Sequence, residues 1–233
     1  MSNYAVKVKQ SPGWNKNPVG MISISQGQEA HEGAKLDALL QWGIDNHHTC
    51  LLNISDTLHR HNLIRMGIAP DDAMQAAYRL GNEWMQRNAD ILNRHKHKMH
   101  RIHRWNDWLT HPQFESVHAM VLAHYDHAPT FRAAALADIE KFIGRKKGHG
   151  VDVEYDRLHK SSHIYLLEET AAYIIMARTY AANRVYPAKP LLTFEYLRHT
   201  PDLPPLLRGM EKAMCVRVLF KRLSPQTEAR SAA

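Results

Sequence analysis

Residues 19–54 read VGMISISQGQEAHEGAKLDALLQWGIDNHHTCLLNI, and in them a helical pattern lies between two β-prone runs. The first run, residues 19–25, ends before Gly27, and apolar residues then recur at helical spacing over residues 29–46. The second run, Thr49–Ile54, is nearly continuous in apolar residues, which is typical of a strand buried in a parallel sheet. This order predicts a βαβ unit with a right-handed crossover.

The rest of the chain continues the alternation of helices and strands. Pro70, followed by Asp71 and Asp72, predicts a helix to about Arg94, because proline and acidic side chains favour the first helical turn. The remaining patterns predict a helical stretch from residue 112 to beyond 142, a helix over residues 155–178, strands over 102–108, 191–196 and 215–220, and a loop at 145–150. We expect one α/β domain with a parallel sheet flanked by helices, over residues 18–223, between a flexible basic leader (1–17) and a frayed tail (224–233).

Length and composition limit the classes of protein. A chain of 233 residues suits one well-buried domain, and 44% apolar residues exclude a disordered or fibrous protein. The longest apolar run, residues 171–177, is far shorter than the roughly 20 residues that cross a bilayer, and the N-terminus lacks a signal-peptide pattern. We therefore expect a cytoplasmic protein without membrane contact, whose Cys50 and Cys215 are free thiols. Its net charge of +7 suits a polyanionic partner.

Ser25 lies where the first predicted strand meets the first predicted helix. Ligands of open parallel sheets bind outside the carboxyl ends of the strands, where helix N-termini favour negative charge. A serine hydroxyl there can attack a carbonyl while backbone amides stabilise the oxyanion, and Gly27 allows close approach to the backbone. On these residues alone, a serine that caps the helix is the commoner case. The chain has no G-x-S-x-G or Walker A pattern, which argues against α/β-hydrolases and P-loop enzymes.

A strongly basic segment, RHKHKMHRIHR, spans residues 94–104. It contains five Lys or Arg, four His and no acidic residue. If the segment is helical, Arg94, Lys98 and Arg101 share one face, which suits a phosphate backbone. A solvated helix face is the alternative, but such faces usually include acidic residues. No metal site is predicted, because the interleaved cations repel a metal ion and no Cys or carboxylate completes a ligand set.

Two features of the last third of the chain can contribute to a site. Tyr165 and Glu169 are four residues apart on a predicted helix and therefore share a face, where a phenol and a carboxylate can hold an ammonium group or manage its proton. A surface glutamate beside a core tyrosine is the ordinary alternative. Pro187 restricts the backbone after Tyr186 and so sets the direction of that side chain.

In this order and spacing, the features resemble those of the tRNA-dependent cyclodipeptide synthases, over about residues 21–223. The resemblance is carried by ISQGQ (24–28), LLQW (39–42), the basic segment, HPQF (111–114), the pair Tyr165 and Glu169, and Tyr186-Pro187. Gln28 with Tyr186-Pro187 is similar to the XYP branch of the family, whereas the other branch has Asn and Tyr-His. Many members have glycine where this chain has Ser23. The resemblance implies a Rossmann-like domain similar to the catalytic domain of class Ic aminoacyl-tRNA synthetases, without their ATP-binding signatures.

The resemblance implies an aminoacyltransferase that joins two aminoacyl groups from tRNA into a cyclic dipeptide, a 2,5-diketopiperazine. Ser25 would carry first an aminoacyl and then a dipeptidyl group in a ping-pong reaction. Glu169 and Tyr165 would anchor the ammonium group, and Tyr186 would assist proton transfer. Because aminoacyl-tRNA is already an activated ester, we expect no ATP, metal or other cofactor. The expected partner is aminoacyl-tRNA, and the expected state is a monomer.

The resemblance also assigns binding residues. Substrate contacts are expected from Ser23, Gly27, Gln28, Asn53, Trp105 and Pro187, and tRNA contacts from Arg94, Lys96, Lys98, Arg101 and Arg104. Asn53 interrupts an apolar strand, so its buried amide needs a partner, either substrate or, more commonly, neighbouring backbone. Two other functions stay open: a non-catalytic tRNA-binding module with a synthetase-like fold, and a serine esterase that acts on aminoacyl esters.

Overall fold

A computed structural model describes residues 2–9, 13–148 and 154–223 of the chain. The strands in these residues are β1 (Tyr4–Val8), β2 (Val19–Ile24), β3 (Thr49–Ile54), β4 (Met99–Arg104), β5 (Asn183–Tyr186) and β6 (Cys215–Arg222). The helices are α1 (Gly33–Asn46), α2 (Arg60–Arg65), α3 (Pro70–Arg87), α4 (Ala89–His95), α5 (Trp105–Leu109), α6 (Phe114–His127), α7 (Pro129–Gly148), α8 (Tyr155–Tyr180) and α9 (Leu192–His199). Short 3₁₀ turns join several of them.

In the described residues the strands form one six-stranded sheet with the order β1-β6-β5-β2-β3-β4. β6, β5, β2, β3 and β4 run parallel, and β1 is added antiparallel at one edge. From β2 the chain moves outward to β3 and β4, and it then returns to place β5 on the other side of β2. The order of the strands therefore reverses between β2 and β5, and the carboxyl ends at such a point are where α/β sheets bind ligands.

Helices cover both faces of the sheet, and alternate residues of β2 point to opposite faces. Ile22 and Ile24 are buried in a cluster that includes residues of α1, α3 and α4. Met21 belongs to the cluster on the other face, which is built largely from α6, α8 and α9. The single α/β domain and the parallel sheet that the sequence predicts are confirmed. No helix in the described part of the chain is both long and apolar enough to cross a bilayer.

Two predicted long helices are each interrupted. The helix predicted over residues 70–94 is α3 and α4, separated at Asn88, whose Nδ2 donates to the Trp84 carbonyl at 3.0 Å and to Glu32 Oε2 at 2.9 Å. The stretch predicted over residues 112–142 is α6 and α7, which divide before Pro129, a residue without the N–H that helix continuation needs. Polar side chains and proline therefore end helices at positions that the periodicity of apolar residues does not predict.

Three local predictions are wrong. The strand predicted over residues 191–196 is helix α9, because Asp138 of α7 accepts hydrogen bonds from the backbone N–H groups of Leu192 and Thr193 and so caps the helix. The strand predicted over residues 102–108 combines the end of β4 with α5, whose start is capped by Asp107. The loop predicted at residues 145–150 is helical up to residue 148, and residues 149 and 150 lie outside the described residues.

The prediction of a flexible leader is wrong for the residues that form β1. Tyr4–Val8 pairs in register with Val218–Arg222 of β6 and so extends the sheet. Residues 10–12 of the leader and the predicted tail, residues 224–233, lie outside the described residues. The predictions of β3 and of a helix over residues 155–178 are confirmed by β3 and α8, and the strand predicted over residues 215–220 is confirmed by β6.

Candidate active site

The hydroxyl groups of Ser25 and Tyr186 meet where the strand order reverses. Ser25 follows β2 directly, and Tyr186 is the last residue of β5. Their oxygen atoms are 3.0 Å apart, and Gln28 Nε2 donates to the Tyr186 oxygen at 2.9 Å. Since Gln28 donates to it, the Tyr186 oxygen can still donate its own proton to Ser25 or accept the proton of Ser25. The arrangement can therefore move a proton to or from the serine hydroxyl.

The turn between Ser25 and Gln28 is open to solvent. Gly27 is exposed and adopts a φ of +76°, a backbone conformation that favours glycine, and a Cβ atom there would meet no atom within 4 Å. Pro187 directly follows the catalytic candidate Tyr186 and is half-buried. A substrate can thus approach the serine from the exposed side of this turn.

His31, which the sequence reasoning missed, lies behind the pair formed by Ser25 and Tyr186. It is fully buried, and its Nδ1 is 3.0 Å from both the backbone nitrogen and the backbone oxygen of Ser25. Its ring centroid is 5.4 Å from that of Tyr186, and its own carbonyl accepts from Trp84 Nε1 at 3.0 Å. Burial lowers the pKa of His31 to about 4, so the ring is neutral at physiological pH. Nothing in the polar turn of residues 25–32 marks this histidine as buried.

Tyr165 and Glu169 lie on one face of α8, close to the end of β5. Burial raises the pKa of Glu169 to about 7, against the opposing effect of the Arg184 guanidinium. Burial and the charge of Glu169 together raise the pKa of Tyr165 well above its usual value. The structure thus joins the predicted pair to a buried cation, Arg184, whose Nη2 is 3.6 Å from Glu169 Oε1.

Arg184 connects Glu169 with the hydroxyl pair, and the sequence reasoning missed it. Its guanidinium carbon lies 4.5 Å from the ring centroid of Tyr173 and 4.6 Å from that of Tyr186. Arg184 is a buried residue of a central strand, and the sequence around it, NRVY, gives no sign of a special role. This buried cation, held between two aromatic rings and one carboxylate, is the positive charge that acts on Glu169 on this side of the site.

The predicted pocket residues Ser23, Asn53 and Trp105 are all buried and all contact protein groups. Ser23 Oγ accepts from the Tyr173 hydroxyl at 2.8 Å. Asn53 Oδ1 accepts from Trp108 Nε1 at 2.7 Å, so its partner is a side chain and not the backbone. Trp105 Nε1 donates to Glu168 Oε1 at 2.9 Å. Ser23 and Asn53 are register partners on adjacent strands, while Trp105 belongs to a separate polar cluster around Glu168.

The family model of cyclodipeptide synthases matches residues 14–180, more than two thirds of the chain. The chain belongs to the cyclodipeptide synthase family. It is therefore an enzyme that makes cyclodipeptides, and β2, β3, β4 and α8 lie within the matched residues, whereas β1, β5 and β6 lie outside them. No curated protein sequence matches the chain significantly.

Solved structures of cyclodipeptide synthases share the fold of this family member. The structure from Fluoribacter dumoffii aligns with a TM-score of 0.79 at 24% identity, over 95% of this chain and 100% of that one. One from Candidatus Glomeribacter gigasporarum, bound to Phe-tRNAPhe, aligns with a TM-score of 0.64 at 18% identity, over 86% and 88%. A Mycobacterium tuberculosis protein whose structure relates these enzymes to type I tRNA synthetases gives 0.70 at 13%, over 95% and 94%. The predicted synthetase-like fold is thereby confirmed.

Glu168 of this synthase is a structural ion-pair partner next to the site. Arg60 binds both of its carboxylate oxygens, one of them at 2.8 Å, and His61 Nε2 lies 2.9 Å from Oε2. Burial opposes the ionisation of Glu168, but the hydrogen bonds from His61 and Arg60 lower its pKa to about 2. Because Glu168 and Glu169 are neighbours on α8, the Arg60 pair fixes the helix that carries Glu169.

The basic segment of the synthase is not one helical face, contrary to the prediction. α4 ends at His95 and β4 begins at Met99, so residues 94, 98 and 101 do not follow one helix. Arg94 Nη1 lies 3.2 Å from Asp37 Oδ2, and Arg104 forms an ion pair with the buried Asp56. Lys96, Lys98 and Arg101 are exposed to a polyanion, Arg94 is exposed as well although it faces Asp37, and Arg104 is only partly exposed. Within the described residues, no group of three or more His, Cys, Asp or Glu can hold a metal ion.

Proposed function

We propose that this synthase uses two aminoacyl-tRNAs, belongs to the XYP branch and forms covalent intermediates on Ser25. The observation that carries the proposal is the 3.0 Å contact between Ser25 Oγ and the Tyr186 hydroxyl at the reversal of strand order. Gln28 contacts the same hydroxyl, and Pro187 follows Tyr186, which supports the resemblance to the XYP branch. The relative from Candidatus Glomeribacter gigasporarum, solved with Phe-tRNAPhe, supports aminoacyl-tRNA as the substrate.

In the first step, Ser25 Oγ attacks the carbonyl carbon of the aminoacyl ester. The bond between this carbon and the ribose oxygen breaks, and the proton of Ser25 ends on that oxygen. Tyr186 is placed to relay this proton. An ester is a far better acyl donor than an amide, so the step needs no metal, no nucleotide and no His–Asp relay.

In the second step, the amine of the group on Ser25 attacks the ester carbonyl of a second aminoacyl-tRNA. A peptide bond forms, tRNA leaves, and the dipeptide stays attached to Ser25. The new terminal amine then attacks the Ser25 ester, so that the ring closes and Ser25 regains its proton. The nucleophile in this step must be the amine of the aminoacyl group on Ser25. If the amine of the second aminoacyl-tRNA attacked the Ser25 ester instead, the dipeptide would end on tRNA and not on the enzyme.

Glu169 binds the ammonium group and then removes its proton. The substrate amine enters as a cation but can attack only when neutral. A carboxylate whose pKa burial has raised to about 7 attracts the cation and is also basic enough to accept a proton near neutral pH. Tyr165, four residues earlier on the same face of α8, completes the ammonium site.

The test is to mix the full chain with charged tRNA and follow both adduct and product. We expect intact-mass spectrometry to detect an aminoacyl group on Ser25 and chromatography with mass spectrometry to detect a diketopiperazine. Ser25→Ala should remove both while tRNA binding persists. Product formation by Ser25→Ala would overturn the assignment of the nucleophile. Binding without product in the wild type would favour a tRNA-binding module, and free amino acid without cyclic product would favour an esterase.

A further inference from the structure

Two adjacent residues below Ser25 present hydrogen-bond donors without an acceptor. Ser23 and Asn53 are register partners on β2 and β3, and they are 1% and 0% exposed. Because Trp108 Nε1 donates to Asn53 Oδ1, the other atom of this amide must be the nitrogen Nδ2. Nδ2 is buried and has no hydrogen-bond partner among the described residues. A buried donor of this kind is costly unless a ligand or water accepts from it.

A chain of contacts that starts at Arg184 reaches the same place. The Arg184 guanidinium carbon lies 4.5 Å from the Tyr173 ring centroid, and the Tyr173 hydroxyl donates to Ser23 Oγ at 2.8 Å. Since Ser23 Oγ accepts this proton, its own proton is directed onward to a further acceptor. Arg184 Nε is likewise buried without a partner in the described part of the chain. Every free group of this cluster is a donor, so its ligand must bring acceptors.

The charges of the site point to the same kind of ligand. Arg184 and Glu169 are buried and of opposite charge, with 3.6 Å between Arg184 Nη2 and Glu169 Oε1. In the proposed function, Glu169 also binds the ammonium group of the substrate, so this carboxylate faces two cations, while Asp138, the other carboxylate that acts on Glu169, accepts from backbone N–H groups of α9. A buried charge is strongly unfavourable unless it is paired. A negative group on the substrate itself would pair directly with Arg184.

We propose that the first aminoacyl group has an acidic side chain, aspartyl or glutamyl, whose carboxylate accepts from Asn53 Nδ2, Ser23 Oγ and Arg184. This inference rests on the proposed function, since it requires Ser25 to be acylated and Glu169 to hold the ammonium group. An aliphatic side chain would leave the buried donors unpaired. A carboxamide would accept from them but would bring donors of its own and no negative charge. Sites that hydrogen-bond a substrate discriminate strongly against analogues that lack the matching group.

The test compares the initial rate of Ser25 acylation for tRNAs charged separately with Glu, Asp, Gln, Leu and Ala. We expect the glutamyl or aspartyl adduct to form at least about tenfold faster than the leucyl and alanyl adducts, with glutaminyl in between. Equal or faster acylation by Leu or Ala would overturn the inference and leave the proposed function intact. Equal rates for Gln and Glu would overturn the requirement for negative charge. No acylation by any of the five would overturn the inference, and no acylation by tRNAs charged with the remaining amino acids would then overturn the proposed function.

Substitutions separate selectivity from turnover. Asn53→Asp has the same shape and still accepts from Trp108, but it replaces the donors with an acceptor, so the ratio of glutamyl to leucyl acylation should fall at least about tenfold. Arg184→Met should lower the same ratio, and Arg184→Lys, which keeps the charge, should restore part of it. Glu169→Gln is the matched control, because every aminoacyl ester carries an ammonium group. That variant should slow all acylations alike, whereas an unchanged ratio in Asn53→Asp and Arg184→Met would contradict the inference.

Discussion

The hydroxyl oxygens of Ser25 and Tyr186 lie 3.0 Å apart, although 161 residues separate them in the sequence. Both residues stand at the carboxyl ends of adjacent parallel strands, since β2 pairs with β5 in the register of Ile22 with Val185. The sheet, rather than a loop, therefore sets the distance between the two groups. Placement on a rigid element keeps a proton relay in position without an entropic cost at each turnover.

Removing the Tyr186 hydroxyl should slow the acylation of Ser25. Tyr186→Phe keeps the ring beside His31 and Arg184 but removes the group that relays the proton, so we expect a decrease of roughly tenfold to a hundredfold. Rapid quench with intact-mass detection of the adduct measures this rate. Tyr180→Phe is a matched control, because it removes a tyrosine hydroxyl that forms a hydrogen bond away from Ser25, with His103 at 2.9 Å. Equal rates in the two variants would contradict the role of Tyr186.

The ionisation of Glu169 should set the acidic limb of the pH profile. Only the carboxylate binds the ammonium group, and burial raises its pKa to about 7, so kcat/KM should rise as the pH increases through about 7. Arg184 acts to lower that pKa, and Asp138 acts to raise it. Arg184→Met should therefore move the limb to higher pH, and Asp138→Asn should move it to lower pH. Initial rates between pH 5.5 and 8 test both directions, and a profile of Arg184→Met that overlays the wild type would contradict the assignment.

We expect His31 to support kcat through the hydrogen bond of its Nδ1 to the Ser25 backbone rather than through the packing of its ring against Tyr186. Asparagine places an oxygen or an amide nitrogen close to the position of Nδ1, so His31→Asn can still bond the Ser25 backbone, whereas His31→Phe cannot. We expect His31→Phe to lower kcat by about three- to tenfold, which is the net worth of one hydrogen bond, and His31→Asn to recover most of it. Thermal unfolding of both variants separates a loss of folding from a loss of positioning. A slower His31→Asn than His31→Phe would instead assign the effect to ring packing against Tyr186.

The sequence predicts those elements whose determinants are local. β2, α1 and β3 follow from apolar periodicity within 36 residues, and they bring Ser25 to the carboxyl edge of the sheet. Tyr186 could be assigned only by resemblance, since nothing near it specifies that β5 returns beside β2. Helix α9 is an element whose determinant is not local. Its own sequence favours a strand, but the Asp138 carboxylate of α7 caps its first turn and stabilises a helix.

Buried charge is the part of the site that periodicity cannot reveal. Arg184 and His31 occur in stretches that read as an ordinary strand and a polar turn, and only their distant partners explain their burial. The same holds for Arg104, which was predicted to contact tRNA but is paired with Asp56 of a preceding loop. Whether a cationic residue has a structural or a functional role therefore depends on contacts with residues that are distant in the sequence.

Exposed and paired cations of the basic segment should behave differently. Lys98→Glu with Arg101→Glu should weaken tRNA binding with little change in stability, because both side chains are exposed. Arg104→Met should lower the free energy of unfolding by about 3–5 kcal/mol, since it leaves the carboxylate of Asp56 buried and unpaired. Filter binding over a salt series and urea denaturation measure the two effects. Lys7→Glu with Lys221→Glu, on β1 and β6 at the other side of the sheet, makes the same change in net charge, and equal loss of binding there would contradict a local contact.

Gly81 should be intolerant of alanine although it lies within helix α3. Alanine in a helix interior usually stabilises by about 0.5–1 kcal/mol relative to glycine. At this position, however, a Cβ atom would lie 2.5 Å from Arg104 Nη2, 2.6 Å from Asp56 Oδ2 and 2.8 Å from Asp56 Cβ. Asp56 is fully buried and cannot move aside cheaply, so Gly81→Ala should destabilise the fold by about 1–3 kcal/mol. Gly144→Ala in α7 is the control, because a Cβ there meets no atom within 4 Å and should stabilise by the ordinary helical increment. If urea denaturation gave both variants the same gain, the ion pair of Arg104 and Asp56 would not constrain the approach of α3 to the end of β4.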